Sequence, residues 1–169
     1  MLIAFDRREP LLARGVWIAP TAVVTGDVQV GEDSSIWFQS VVRGDESAIR
    51  IGREVNVQDA CVLHTGSQSA LRIADGVSVG HMVILHGCEI GGGTLVGMGS
   101  IVMDGALIGR RCLVAAGSLV TAGARFEDES VIMGRPAKRV RSVTPEEIER
   151  NERRVQKYIR AAAMYASEK

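Results

Sequence analysis

The sequence predicts an all-β coil of short parallel strands followed by one α-helix. Three observations carry that expectation. An aliphatic residue recurs every six positions from Leu12 to Val120, a small residue usually stands four places after it, and the composition is rich in glycine and poor in aromatics. Glycine is 19 of 169 residues and aromatics are only 4%. Many glycines among abundant Val, Ile and Ala point to short strands, tight turns and a core built without rings.

The elements follow in order. Leu12, Ile18, Val24, Val30, Ile36 and Val42 stand six apart. After a slip of three come Ile51, Val57 and Leu63, and after a slip of four Ile73, Val79 and Leu85. One residue is then dropped, and Ile90, Val96, Val102, Ile108, Val114 and Val120 follow. The companion position holds residues such as Ala22, Ser40, Cys61, Ser100 and Cys112. Its exceptions, Glu46, Ser67 and Glu89, fall at the three interruptions. Each unit reads as one short wall that ends at a turn and directs its aliphatic and small residues inward. Three walls close a triangular coil, so these units make about six coils stacked at the ~4.8 Å strand spacing. An ordinary sandwich of short strands has no reason to hold that phase.

The C-terminus departs from the repeat at Gly134-Arg135-Pro136-Ala137-Lys138. Thr144-Pro145-Glu146-Glu147 then reads as a helix start, with Thr as N-cap, Pro at the first helical position and Glu completing a capping box. Ile148, Val155, Ile159 and Ala162 share one face, with Tyr158 and Tyr165 nearby, so the helix packs along the outside of the coil. Its basic face reads as solvated surface, with a binding role as the alternative. The expected organisation is a coil over 1–140 and a helical segment over 141–169.

Composition bounds the function. Lys+Arg and Asp+Glu are 20 each, which argues against a nucleic-acid partner needing a basic face. No apolar run approaches the ~20 residues of a membrane helix. Asp6, Arg7, Arg8 and Glu9 interrupt any export signal, and three cysteines read as reduced thiols of a cytoplasmic protein. Cys61 and Cys112 fall in inward slots, whereas Cys88, two residues after His86, reads as a loop thiol.

The three histidines acquire a pattern on the coil. His64 and His86 follow Leu63 and Leu85, three units apart, so their rings stack on one outer wall. Two nitrogens of one tetrahedral zinc lie roughly 3.3 Å apart, which side chains based ~4.8 Å apart can reach. His81 stands on the neighbouring wall and points away. In a closed head-to-tail trimer, His81 of one chain would meet the His64–His86 pair of the next. One coil earlier, Arg43, Asp45 and Glu46 lie on the His64 wall. Asn56, Gln58 and Asp59 lie on the His81 wall, with Asp59 beneath His81 and Gln58 beneath Gly80. Arg43 and Asp45 are placed to pair with one another or, across an interface, with Asp59.

Arg43-Gly44-Asp45, Asn56-Val57-Gln58-Asp59, His64 and the Gly80-His81 to His86-Gly87 stretch resemble the gamma-class carbonic anhydrase family. That family belongs to the left-handed parallel β-helix proteins of hexapeptide repeats. The resemblance covers roughly residues 10 to 140 and the helix. It implies a left-handed coil and a homotrimer with Zn2+ (Fe2+ or Co2+ in some members) held at each interface by His64, His81 and His86. It further implies hydrogen-bonding roles for Gln58 and Asn56, an Arg43–Asp45 pair, a partner carboxylate at Asp59 and an acidic group at Glu46. The implied reaction is reversible hydration of carbon dioxide to bicarbonate by metal-held hydroxide. One departure bears on proton transfer: Ser67 stands in a short loop where the best-studied type carries an acidic loop with a shuttle glutamate. Metal-dependent hydrolysis of an acyl-CoA thioester or ester remains an alternative on the same site. So do metal-free acyl transfer with a histidine base and a non-catalytic scaffolding trimer.

Overall fold

The computed structural model describes residues 1–168. Its first wall stacks Trp17–Ile18, Ser35–Ile36, Asn56–Val57, Ser78–Val79, Leu95–Val96, Leu113–Val114 and Ser130–Gly134 in parallel. The antiparallel strand Ala137–Ser142 closes that sheet. The second wall carries Val62–His64, Ile84–His86, Ile101–Val102 and Leu119–Val120. The third carries Leu71–Ile73, Glu89–Ile90, Leu107–Ile108 and Arg125–Phe126. These two walls form one 12-stranded sheet because Val23–Val30 and Val41–Ile51 run unbroken through the corner between them. The result is a parallel β-solenoid of about seven turns with one C-terminal helix, the architecture of a hexapeptide left-handed β-helix. The turn beyond the expected six arises because the period continues past Val120 through Phe126, packed on the core, and Ile132, fully buried.

The inward slots are filled as the period requires. Val24, Ile36, Val42, Val57, Leu63, Val79, Leu85, Val96, Val102, Val114 and Val120 are fully buried. Each contributes about 1.5–3 kcal/mol by leaving water. Leu12, 36% exposed, and half-buried Ile18 are the exceptions, because they lie in the first rungs, where no complete coil covers them. Small inward slots that hold hydroxyls satisfy them on the backbone, as Ser40 Oγ does on the Gln58 carbonyl at 2.7 Å and Thr94 Oγ1 on Gly109 at 2.9 Å.

The helix Pro145–Ser167 begins as its sequence dictates. Thr144 Oγ1 accepts from the Glu147 amide, and the Glu147 carboxylate accepts from the Thr144 amide at 3.0 Å. Arg141 donates twice to that carboxylate at 2.8 Å. The helix lies against the first wall, seated on aromatic contacts that include Trp37–Tyr158 at 5.1 Å and Trp17–Tyr165 at 5.2 Å between ring centroids. The scarce rings are thus concentrated in the seam between coil and helix. Asn151 fastens the seam by donating to the Gly93 carbonyl at 2.9 Å. Among the described residues, no helix is long and apolar enough to cross a membrane.

Candidate metal site

The sheet register positions the histidines. Leu63 pairs with Leu85 and His64 with His86, and Arg43 occupies the same slot one coil earlier. The two rings converge: His64 Nδ1 and His86 Nε2 are 3.1 Å apart. Each outer nitrogen meets a carboxylate. His64 Nε2 is 3.0 Å from Asp45 Oδ1, and His86 Nδ1 is 2.8 Å from Asp104 Oδ2. Carboxylates accept only, so the imidazole N–H groups point outward at them. The inner nitrogens then present lone pairs to each other at contact distance, a donor arrangement suited to a shared cation.

His81 lies on the adjoining wall, one residue before Met82, whose φ of 59° turns the corner. Its Nδ1 is 2.8 Å from Asp59 Oδ2, which leaves Nε2 for another partner. Gly80 is required there because a Cβ would stand 2.8 Å from the Met98 amide of the next coil. Among the described residues, no group of three or more His, Cys, Asp or Glu side chains gathers around one point. The chain therefore presents a two-histidine half-site and, on another wall, a single backed histidine.

Asp45 bridges the first half-site, accepting from Arg43 at 2.5 Å as well as from His64. Of the two pairings open to Arg43 and Asp45, the structure shows the one within the chain. Burial opposes ionisation of Asp45, but hydrogen bonds from Arg43 and His64 outweigh it and hold the carboxyl below its usual range. Asp59 instead serves His81 and accepts from the Phe38 amide at 3.2 Å. Asn56 and Gln58 project from the first wall beneath the helix and are buried. Ser78 accepts from Asn56 Nδ2 at 3.0 Å, and Asn56 Oδ1 accepts from Gln58 Nε2 at 3.0 Å, a chain that sets the glutamine amide. Glu46 is exposed at the corner of the second wall.

Sequence reading missed Asp104 and Ser69. Asp104 lies 18 residues after His86, one coil onward, so the register that stacked the histidines could have found it. Ser69 Oγ donates to Asp104 Oδ1 at 2.6 Å. That bond and, against burial, those from His86 hold the Asp104 carboxyl below its usual range. Ser69 belongs to the short loop after His64, which folds back through a Gly66–Ser69 bridge. At Gly87, with φ of 49°, a Cβ would stand 2.3 Å from Ser69 Oγ. Ser67 sits in this same loop. Cys88, expected in a loop, belongs to the core at 1% exposed, and burial pushes its thiol up to about 12.

The fold defines a hexapeptide-repeat protein, and a family model of that kind, the bacterial transferase hexapeptide (six repeats), matches residues 87–122. A carbonic anhydrase of Geobacillus kaustophilus is 42% identical over 98% of this chain and 91% of its own. A probable carbonic anhydrase of Methanocaldococcus jannaschii is 45% identical over 94% of this chain and all of its own. The chain belongs to the gamma-class carbonic anhydrase family. A solved Bacillus cereus structure provisionally named an acetyltransferase is 44% identical, covers 100% of this chain and 98% of its own, and superposes with a TM-score of 0.98.

Proposed function

We propose that the protein is a metal-dependent carbonic anhydrase that hydrates carbon dioxide to bicarbonate at sites shared between subunits of a homotrimer. The observation that carries this reading is the pair of inner nitrogens 3.1 Å apart, each ring backed by a carboxylate. His64 and His86 of one chain and His81 of the next would hold Zn2+, with Fe2+ or Co2+ as alternatives. Three neutral imidazoles suit such an ion and leave a fourth position open. When bound, the ion lowers the pKa of water in the site and so makes a nucleophilic oxygen available near neutral pH. Exposed Val62, Met82 and Ile84 line the wall and corner that carry the histidines, apolar surface suited to the neighbouring subunit.

The chain's own residues supply orientation and proton traffic. Asp45, Asp59 and Asp104 fix the three ring tautomers and directions. Asn56 sets the Gln58 amide, which holds the reacting oxygen by a hydrogen bond. Arg43 keeps Asp45 aligned. Each turnover releases a proton, and with Ser67 where a carboxylate would serve, that proton leaves through exposed Glu46 or directly to buffer. Hydration measured by stopped flow should therefore accelerate with buffer concentration; a high rate indifferent to buffer overturns the proton-transfer step. Mixing inactive His64→Ala and His81→Ala chains should restore activity in exchanged trimers. No recovery after demonstrated exchange refutes shared ligands. A protein purified metal-free without chelators that acetylates an amine would instead support the acyl-transfer reading suggested by the Bacillus cereus name.

A further inference from the structure

The helix Pro145–Ser167 and the first wall line an open groove of about 560 Å3 whose lining includes Gln58 and His81. Its floor is apolar, with Leu95, Met98 and Leu113. Its roof is cationic, with Arg150, Arg153, Arg154 and Lys157 from one face of the helix, and none of the described lining residues is acidic. Neighbours already engage two of these cations. Arg153 pairs with Glu149, and Arg154 donates to Asn151 Oδ1 at 3.2 Å. Arg150 and Lys157 are exposed and bring their charges to the same space. Like charges gathered over a low-dielectric floor repel, and an anion between them relieves that repulsion. The volume lies within the ~300–1,000 Å3 range of organic-ligand sites and far exceeds what carbon dioxide needs.

We infer that this groove binds an amphipathic organic anion, its carboxylate or phosphate head held by Arg150 and Lys157 and its apolar body laid over Leu95, Met98 and Leu113. The inference goes beyond the proposed hydration and does not depend on the metal, because the groove is built within one chain. An occupant would lie at the mouth of the His81 half-site.

Calorimetric titration of the purified oligomer with hexanoate, hexyl phosphate, acetate and hexanamide tests it, with Trp37 fluorescence as a second readout through its contact with Tyr158. Hexanoate or hexyl phosphate should saturate, and the tighter of the two identifies the head group. Acetate and hexanamide should bind at least about tenfold more weakly, and Arg150→Gln/Lys157→Gln should weaken the organic anion by a similar factor. Both side chains are exposed, so the double variant should fold. Arg160→Gln, outside the groove, should leave binding unchanged. Absence of saturable binding, equal binding of hexanamide or acetate, or an unaffected double variant overturns the inference. The last two outcomes also separate it from simple anion ligation at the metal.

Discussion

Replacing Asp104 with Ala removes the carboxylate that sits 2.8 and 2.9 Å from His86 Nδ1 and accepts from Ser69 at 2.6 Å. His86 then loses the group that keeps its proton on Nδ1 and its Nε2 lone pair facing His64. A hydrogen bond to a charged partner contributes about 1.5–3 kcal/mol, and outer-sphere partners of metal-ligating histidines change affinity by ~10–100-fold. The Asp104 side chain is 44% exposed, which places the effect at the lower end, near tenfold in metal affinity. Ser69→Ala, which removes only the group aligning Asp104, should weaken binding by less. The assay is zinc competition against a chromophoric chelator at neutral pH, paired with thermal melting of the chelated protein. Unchanged zinc affinity in Asp104→Ala would refute the assignment. So would a loss matched by an equal fall in metal-free stability, since a positioning group should leave the chelated melt nearly untouched.

Two further predictions follow from other parts of the molecule. Hydrogen bonds from Arg141 first, and from the Thr144 amide, lower Glu147 from 4.5 to about 2. Its contribution to stability is therefore complete above about 4.5 and lost as pH falls through about 2. Glu147→Gln keeps the capping partner but loses the charge, so its melting deficit at neutral pH should vanish in strong acid. Burial pushes Cys61 and Cys88 up to about 12 and raises Cys112. All three thiols should resist a disulfide reagent at pH 8 in the native protein and react together on denaturation; fast native labelling of Cys88 would contradict its place in the core.

The three breaks in the repeat are informative. They follow Val42, Leu63 and Leu85, all at the corner between the second and third walls. There the chain forms the Arg43–Asp45 stretch, the Gly66–Ser69 loop and the left-handed Gly87. A regular coil has no spare residues with which to aim a carboxylate at a ring. The repeat lapses where added or missing residues re-aim side chains at His64 and His86. The breaks were therefore as legible a sign of the site as the histidines themselves.

The coil, its inward residues, the stacking of His64 on His86 and the helix start were all determined by sequence alone. A six-residue period and a capping box act through nearest neighbours, whose geometry is the same in every turn. Asp104 obeys the same register, one coil beyond His86. The tertiary structure alone decided that Arg43 pairs with Asp45, that Cys88 turns inward, that the rings seat the helix, and that four cations roof a groove beside His81. These outcomes depend on side-chain direction and on contacts between segments far apart in the chain, where several partners are within reach and packing selects among them.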